Sequence, residues 1–216
     1  MILGQHETRS SIGPVRLFLP TLIFHFSPSA VILQKSQQEY LCFSLMEKNQ
    51  TLFISNLKQC HMAHMMYAAD FNDYLVPNEN PRQPDYPRIW TTVLMGYYKY
   101  ITDKRIVHCP SIEPQQVSIS FCYGSWTRSF VKIAELPEKY KKPPKDFILL
   151  ADSWATNIQR EMWFFEESKG KNYVIHCRHN QRANILFLDG HAEAVEPERL
   201  KKGEFAPFIP AVLVSE

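Results

Sequence analysis

Glycine is scarce in this chain: seven residues of 216, against fifteen prolines. That balance points to long, stiff connections between short elements. There is no Cys-x-x-Cys pair among the five cysteines, Cys42, Cys60, Cys109, Cys122 and Cys177, which argues against a zinc knuckle. An odd count would leave one thiol free, or bridged to another chain, in an oxidising compartment. Charge of one sign is also missing: 24 Lys and Arg against 22 Asp and Glu give +2, so neither nucleic acid nor an anionic membrane surface is indicated. No apolar run is long and clean enough to span a bilayer. Val15 to Leu33 comes nearest, but Arg16, Pro20, His25 and Pro28 interrupt it. No segment repeats internally.

What is present suffices for a packed core. At 45% hydrophobic and 13% aromatic, 216 residues suit one domain with an appendage. Residues 1–50 form the atypical part. Leu17 to Phe26 followed by Ser27-Pro28-Ser29-Ala30, with Arg9 and Arg16 as a basic flank, has the outline of a short export or anchor segment. The competing reading is a mis-set start or non-native leader. Residues 51–216 are expected to form the globular domain.

From Leu52 the pattern is helical: Phe53, Leu57, Cys60, His64, Tyr67 and Phe71 make one stripe, with an end near Asp70 to Asn72. His61 and His64 on this helix read as packing residues rather than metal ligands. Asp70 and Asp73 are badly placed for the helix dipole, so they should lie past the last turn or meet a cation. Pro77 to Pro87 is a proline-rich loop. A second helix is predicted from Ile89 to about Ile101, with Trp90, Val93, Leu94 and Tyr97 facing inward. Cys109-Pro110-Ser111 marks a turn. Val117 to Tyr123 alternates as a half-buried strand that Gly124 should end. Lys139 to Lys145 reads as a solvated loop, Phe147 to Ala151 as a strand covered on both faces, and Tyr173 to Cys177 as another strand. The tail beyond Pro197 is expected to wrap the surface.

The firmest local signal is Asp189-Gly190 between two strand-forming runs, Ala183 to Leu188 and His191 to Val195. A two-residue type I′ turn would set Leu188 opposite His191, Phe187 opposite Ala192 and Ile185 opposite Ala194. Ile185, Phe187, Ala192 and Ala194 would then share an apolar, core-facing side. The other side, with Asn184, Leu186, Leu188, His191, Glu193 and Val195, would be half exposed.

Several pieces occur in an order that resembles a known group. His179 stands ten positions before Asp189-Gly190. Ahead of it come Asn56-Leu57-Lys58-Gln59, Met66-Tyr67-Ala68-Ala69-Asp70, Tyr86-Pro87, Cys109-Pro110-Ser111, Tyr123-Gly124 and Leu149-Leu150-Ala151-Asp152-Ser153. Over about residues 56–196 the chain resembles bacterial prepilin-type cleavage/methylation proteins, the pseudopilin-like group with a His-x9-Asp-Gly signature. The resemblance implies an α+β, pilin-like fold: an N-terminal helix packed on an antiparallel β-sheet ending in a β-hairpin. It also implies a structural subunit of a pseudopilus or type II secretion-like assembly in the cell envelope, with other pseudopilin or secretion-system subunits, or further copies of this chain, as partners. Membrane contact would come only through a native N-terminal helix. The group's Gly-Phe-Thr-Leu-Ile-Glu processing site is echoed only by Thr21-Leu22-Ile23, between Pro20 and Phe24.

Candidate chemistry is sparse. His191 and Glu193 lie two apart on one strand, and Asp152 ends the run expected beside it, so the three form a possible Ca²⁺ or Zn²⁺ set. His179, Asp189 and Gly190 read as structural corners, since a strand of six residues separates Ala183 from the turn by roughly 20 Å. Cys177 lies beside His176, and only His179, two residues on, could share its side. Ser125 and Ser153 lack a nucleophile elbow. Trp90, Trp154 and Trp163 could grip a sugar or a partner protein if exposed. The reading is therefore a non-enzymatic structural subunit, with no cofactor and no nucleic-acid partner. A secreted or envelope carbohydrate- or protein-binding module is the alternative, and a metal-dependent hydrolase the third.

Overall fold

The first long helix does what its stripe predicts. In the computed structural model, which describes residues 50–78, 89–111, 122–126, 131–167 and 172–214, α1 covers residues 50–70. Phe53, Leu57, Cys60, His64 and Tyr67 are all buried, while Leu52, Met62 and Met66 stand exposed on another side. The helix stops where Asn72 and Asp73 take φ of 51° and 66°, a left-handed conformation that Asn and Asp tolerate. Asp73 thus lies past the last turn, and its Oδ2 accepts a hydrogen bond from Ala134 N at 3.0 Å. Residues 1–49 of the atypical segment and residues 79–87 of the proline-rich loop expected at 77–87 fall outside the described residues, as do residues 117–121 of the strand expected at 117–123.

The second helix departs from expectation. After Trp90 and Thr91 the backbone becomes a π-helix, Thr92–Tyr97, in which Tyr98 N donates to Val93 O five residues back. The wider turn keeps Trp90, Val93 and Leu94 inside but swings Tyr97 out, to 62% exposure. A 3-10 turn, Lys104–Val107, is capped by Asp103 accepting from Arg105 N.

Gly124 does not end a strand. It bridges to Ala151, and pairing continues in β1, Ser125–Trp126, parallel to β4, Phe164–Phe165. A methyl group on Gly124 would lie 2.5 Å from Ser153 Cβ, so glycine permits this approach. The lysine-rich stretch expected as a loop contains α2, Leu136–Tyr140, and a 3-10 turn, Pro144–Asp146. Pro137 and Pro144 sit in first turns, where a missing N–H is harmless.

Two three-stranded sheets follow. One has the order β2-β6-β7, antiparallel, from Ile148–Ala151, Ala183–Phe187 and Ala192–Val195. The other, β3-β5-β8, uses Ser153–Ala155, Tyr173–Cys177 and Val212–Val214. In it β3 and β5 are antiparallel, and β5 and β8 parallel. With helix and largely antiparallel sheet in one body, the architecture is α+β. β2 and the central β6 are buried on both faces, so Asn184 and Leu186 are interior rather than half exposed. The tail does more than wrap. It forms α3, Pro197–Lys201, adds Phe205 and Ala206 to the core and supplies β8.

The hairpin is present with its register moved by one. Asn184 pairs with Ala194 and Leu186 with Ala192, so Phe187 faces His191 across a three-residue loop, Leu188 to Gly190. Gly190 alone takes positive φ, 90°, as a loop of this length requires. The predicted sharing of faces is therefore overturned: Asn184 and Leu186 lie with Ala192 and Ala194, and Phe187 lies with His191. Type I′ chemistry occurs elsewhere. Asn180 and Gln181, both at positive φ, join His179 to Arg182, which exchange backbone hydrogen bonds of 3.0 and 3.1 Å.

Candidate functional site: a buried polar node at the seam of two sheets

Asp152 is the residue at which the chain leaves one sheet for the other. Its N–H donates to Asn184 O on β6, and its C=O accepts from His176 N on β5. Fully buried, its carboxylate collects donors: Oδ2 accepts from Asn184 N at 3.1 Å and Asn184 Nδ2 at 3.4 Å. His179 Nε2 lies 3.4 Å from the same oxygen, because the tight turn at Asn180-Gln181 holds His179 beside the start of β6. Arg178, the residue before it, places one amino group 3.8 Å from Asp152 Oδ1 and 2.8 Å from Ser153 O, to which it donates.

The node extends in two directions from Asp152. Through Arg178 it reaches Glu161, whose Oε1 is 3.6 Å from the guanidinium and whose Oε2 is 3.1 Å from His108 Nδ1. Tyr123 donates its hydroxyl to His108 O, and Arg178 also covers the Trp154 ring. Through His179 it reaches Cys109, whose Sγ is 3.1 Å from His179 Nε2. One outer connection ties the node to α1: Gln50 Nε2 donates to Asn184 Oδ1 at 2.7 Å.

Burial alone would raise the Asp152 carboxyl; Arg178, His179 and the Asn184 backbone N–H outweigh it and hold the group below the usual carboxylate range. Burial pushes the Cys109 thiol up, aided by Asp152 and Glu161. It likewise lifts Cys177 to about 12 and drops His176 to about 4. None of these thiols has the depressed pKa of an activated nucleophile. Four node atoms, Asp152 Oδ1, Glu161 Oε1, Arg178 Nε and His108 Nε2, are buried without a hydrogen-bond partner. Cys109, Asp152 and His179 bring one ligand atom each within 4.8 Å of one another, the only such trio among the described residues.

The residues expected to form a metal set are not brought together. His191 engages Asp189, with Nδ1 at 2.5 Å from Oδ1, and stacks on Phe187; Glu193 pairs with Arg199 at 3.2 Å. Asp152 lies beside Asn184, three strand positions or roughly 10 Å from the Phe187–His191 pair. His191 and Glu193 do share a strand face, but His191 lies at the far end of the hairpin and Glu193, opposite Ile185, is separated from Asp152 by the intervening strand β6. His179 and Asp189 stand at opposite ends of β6, as corners, with Gly190 against His61, whose Nε2 is 3.1 Å from Leu188 O. His179 turns to Cys109, not Cys177. His64 is buried beside Trp90. Trp90 and Trp163 are core residues, the Trp90 indole donating to Tyr123 O, so neither is free to grip a partner; Trp154 is half-buried under Arg178. Sequence reasoning missed Arg178, Glu161, His108, Asn184 and Cys109 as site residues. Only Asn184, a polar residue in an apolar strand, carried a local signal. Compared with protein-family models, curated proteins and solved structures, the chain matches none.

Proposed function

We propose that the chain is a non-enzymatic structural subunit of a pseudopilus or type II secretion-like surface assembly, with a pilin-like body. The observation that carries this reading is an amphipathic helix laid against an antiparallel sheet that closes in a hairpin: α1 buries its stripe and is tethered to the sheet through Gln50–Asn184 and His61–Leu188. The polar node serves the body by locking the seam between sheets. The exposed Leu52, Met62 and Met66 are left over for neighbours. A photo-crosslinker placed at Met62 or Met66 should capture a pilin-like subunit or another copy in envelope fractions of cells making the protein. Recovery of nothing but an uncrosslinked soluble monomer would overturn the reading.

A binding-module reading has one observation of its own. A cleft of about 520 Å³ beyond the end of α1 is lined by Tyr67, Asp70, Phe71, Tyr97 and Tyr98. Tyr97 and Tyr98 are the exposed aromatics that the tryptophans were expected to be. Glycan binding lost in Tyr97→Ala would favour it.

A further inference from the structure

We infer that Cys109, Asp152 and His179 form a zinc-class metal site that pins the connection before β6 to the loop carrying Cys109. The three come from distant parts of the chain, yet His179 Nε2 lies 3.1 Å from Cys109 Sγ and 3.4 Å from Asp152 Oδ2. At the bond lengths zinc takes to sulfur, nitrogen and oxygen, the edges of a tetrahedron are roughly 3.4–3.6 Å. The sulfur–nitrogen edge therefore needs to open by a few tenths of an ångström, the nitrogen–oxygen edge already fits, and all three ligand atoms lie within 4.8 Å of one another. Asp152 Oδ1 accepts no hydrogen bond and faces the Arg178 amino group at 3.8 Å.

The donor set selects the ion. One thiolate, one imidazole and one carboxylate suit zinc and its neighbours, whereas calcium and magnesium call for an all-oxygen shell. Support behind the ligands is in place: Asn184 donates to Asp152 from both its backbone and its amide, and Gln50 holds that amide. His179 is braced edge-on by Phe53.

The charge around the site suits a dication. Two buried carboxylates, Asp152 and Glu161, face one guanidinium, Arg178, and a dication bound by Cys109 as thiolate adds one net positive charge beside them.

The full-length chain, purified without chelators, should carry about one zinc per chain by elemental analysis. After exchange to Co²⁺ it should show thiolate-to-cobalt absorption. Cys109→Ser should abolish that absorption, and both Cys109→Ser and His179→Gln should weaken metal binding by at least about tenfold. His191→Gln and Glu193→Gln should leave it unchanged. A folded wild-type chain that takes up no metal would overturn the site, and thiolate absorption persisting in Cys109→Ser would overturn it in favour of another cysteine. Should Cys109→Ser fail to fold, X-ray absorption of the wild-type zinc form decides. A shell of one sulfur with nitrogen and oxygen supports the assignment, and a shell without sulfur overturns it. The outcome is independent of whether the chain assembles.

Discussion

Arg178 is worth more than any other cation among the described residues because of what it faces. Its side chain is 10% exposed, and it stands between Asp152 and Glu161 at 3.8 and 3.6 Å. Replacing it by Met keeps much of the volume and leaves two buried carboxylates without their cation, a loss of about 3–5 kcal/mol. Arg182→Met makes the comparison. That residue pairs with Glu196 at 2.7 Å, but both side chains are about half exposed, so its loss should cost under about 1 kcal/mol. Urea unfolding of the two variants should separate them by several-fold in stability change; equal effects would mean the node is not the seam's lock. Nothing local in the sequence announced this. Arg178 begins a polar run, Arg178-His179-Asn180-Gln181-Arg182, and Glu161 and His108 are brought to it by tertiary packing. Asp152 was legible because a charge follows directly on an apolar strand. Its partners Arg178, His179 and Asn184 were not, since they come from positions 26 to 32 residues away.

At the level of elements, the hairpin shows how one turn misjudged changes the faces of two strands. Asp189-Gly190 is ordinary type I′ chemistry, yet Leu188 joins the loop because its carbonyl is taken by His61 of α1 and its side chain is buried. Tertiary contact decided the loop length, and a one-residue shift then moved every pairing. Asp189 is the residue that holds the chosen turn: its Oδ1 accepts from both His191 N and the His191 ring. Asp189→Ala should therefore cost about 1 kcal/mol at neutral pH. Partial burial would raise this carboxyl, but the hydrogen bonds from His191 win and hold it low. A depressed carboxyl contributes fully above its unfolded pKa and loses that contribution as pH falls through the folded value. The gap in melting temperature between wild type and Asp189→Ala should accordingly close as pH drops below about 4; a gap that widens there would contradict the assignment. Gly190→Ala tests the other half of the turn. Positive φ costs about 1–2 kcal/mol for a residue with a Cβ, and that atom would come within 2.7 Å of the His61 ring. The same substitution should loosen α1 from the hairpin, seen as faster amide exchange at the end of β6.

Across the whole molecule, the parts that were legible are those where one periodicity settles the matter. The stripe Phe53, Leu57, Cys60, His64 and Tyr67, and the strands Ile148–Ala151 and Tyr173–Cys177, follow from side chains that must be buried on one or both faces. The π-turn at Thr92–Tyr97 and the short helix Leu136–Tyr140 were not legible, since each is selected by packing rather than by propensity. This division gives a way to part folding from assembly on a single helix. Leu57 is fully buried in the core, so Leu57→Ala should lower stability by about 2–5 kcal/mol and take the sheets with it in one cooperative transition. Met62 and Met66 are more than half exposed, and changing both to Ser should move stability by under about 1 kcal/mol. If α1 presents this row to a neighbour, the double variant should fold and melt like wild type yet lose its crosslinks and co-isolation with partner subunits. A variant that assembles normally would show that the exposed methionines are incidental surface, and the interface would have to be sought at the aromatic cleft of Tyr97 and Tyr98 instead.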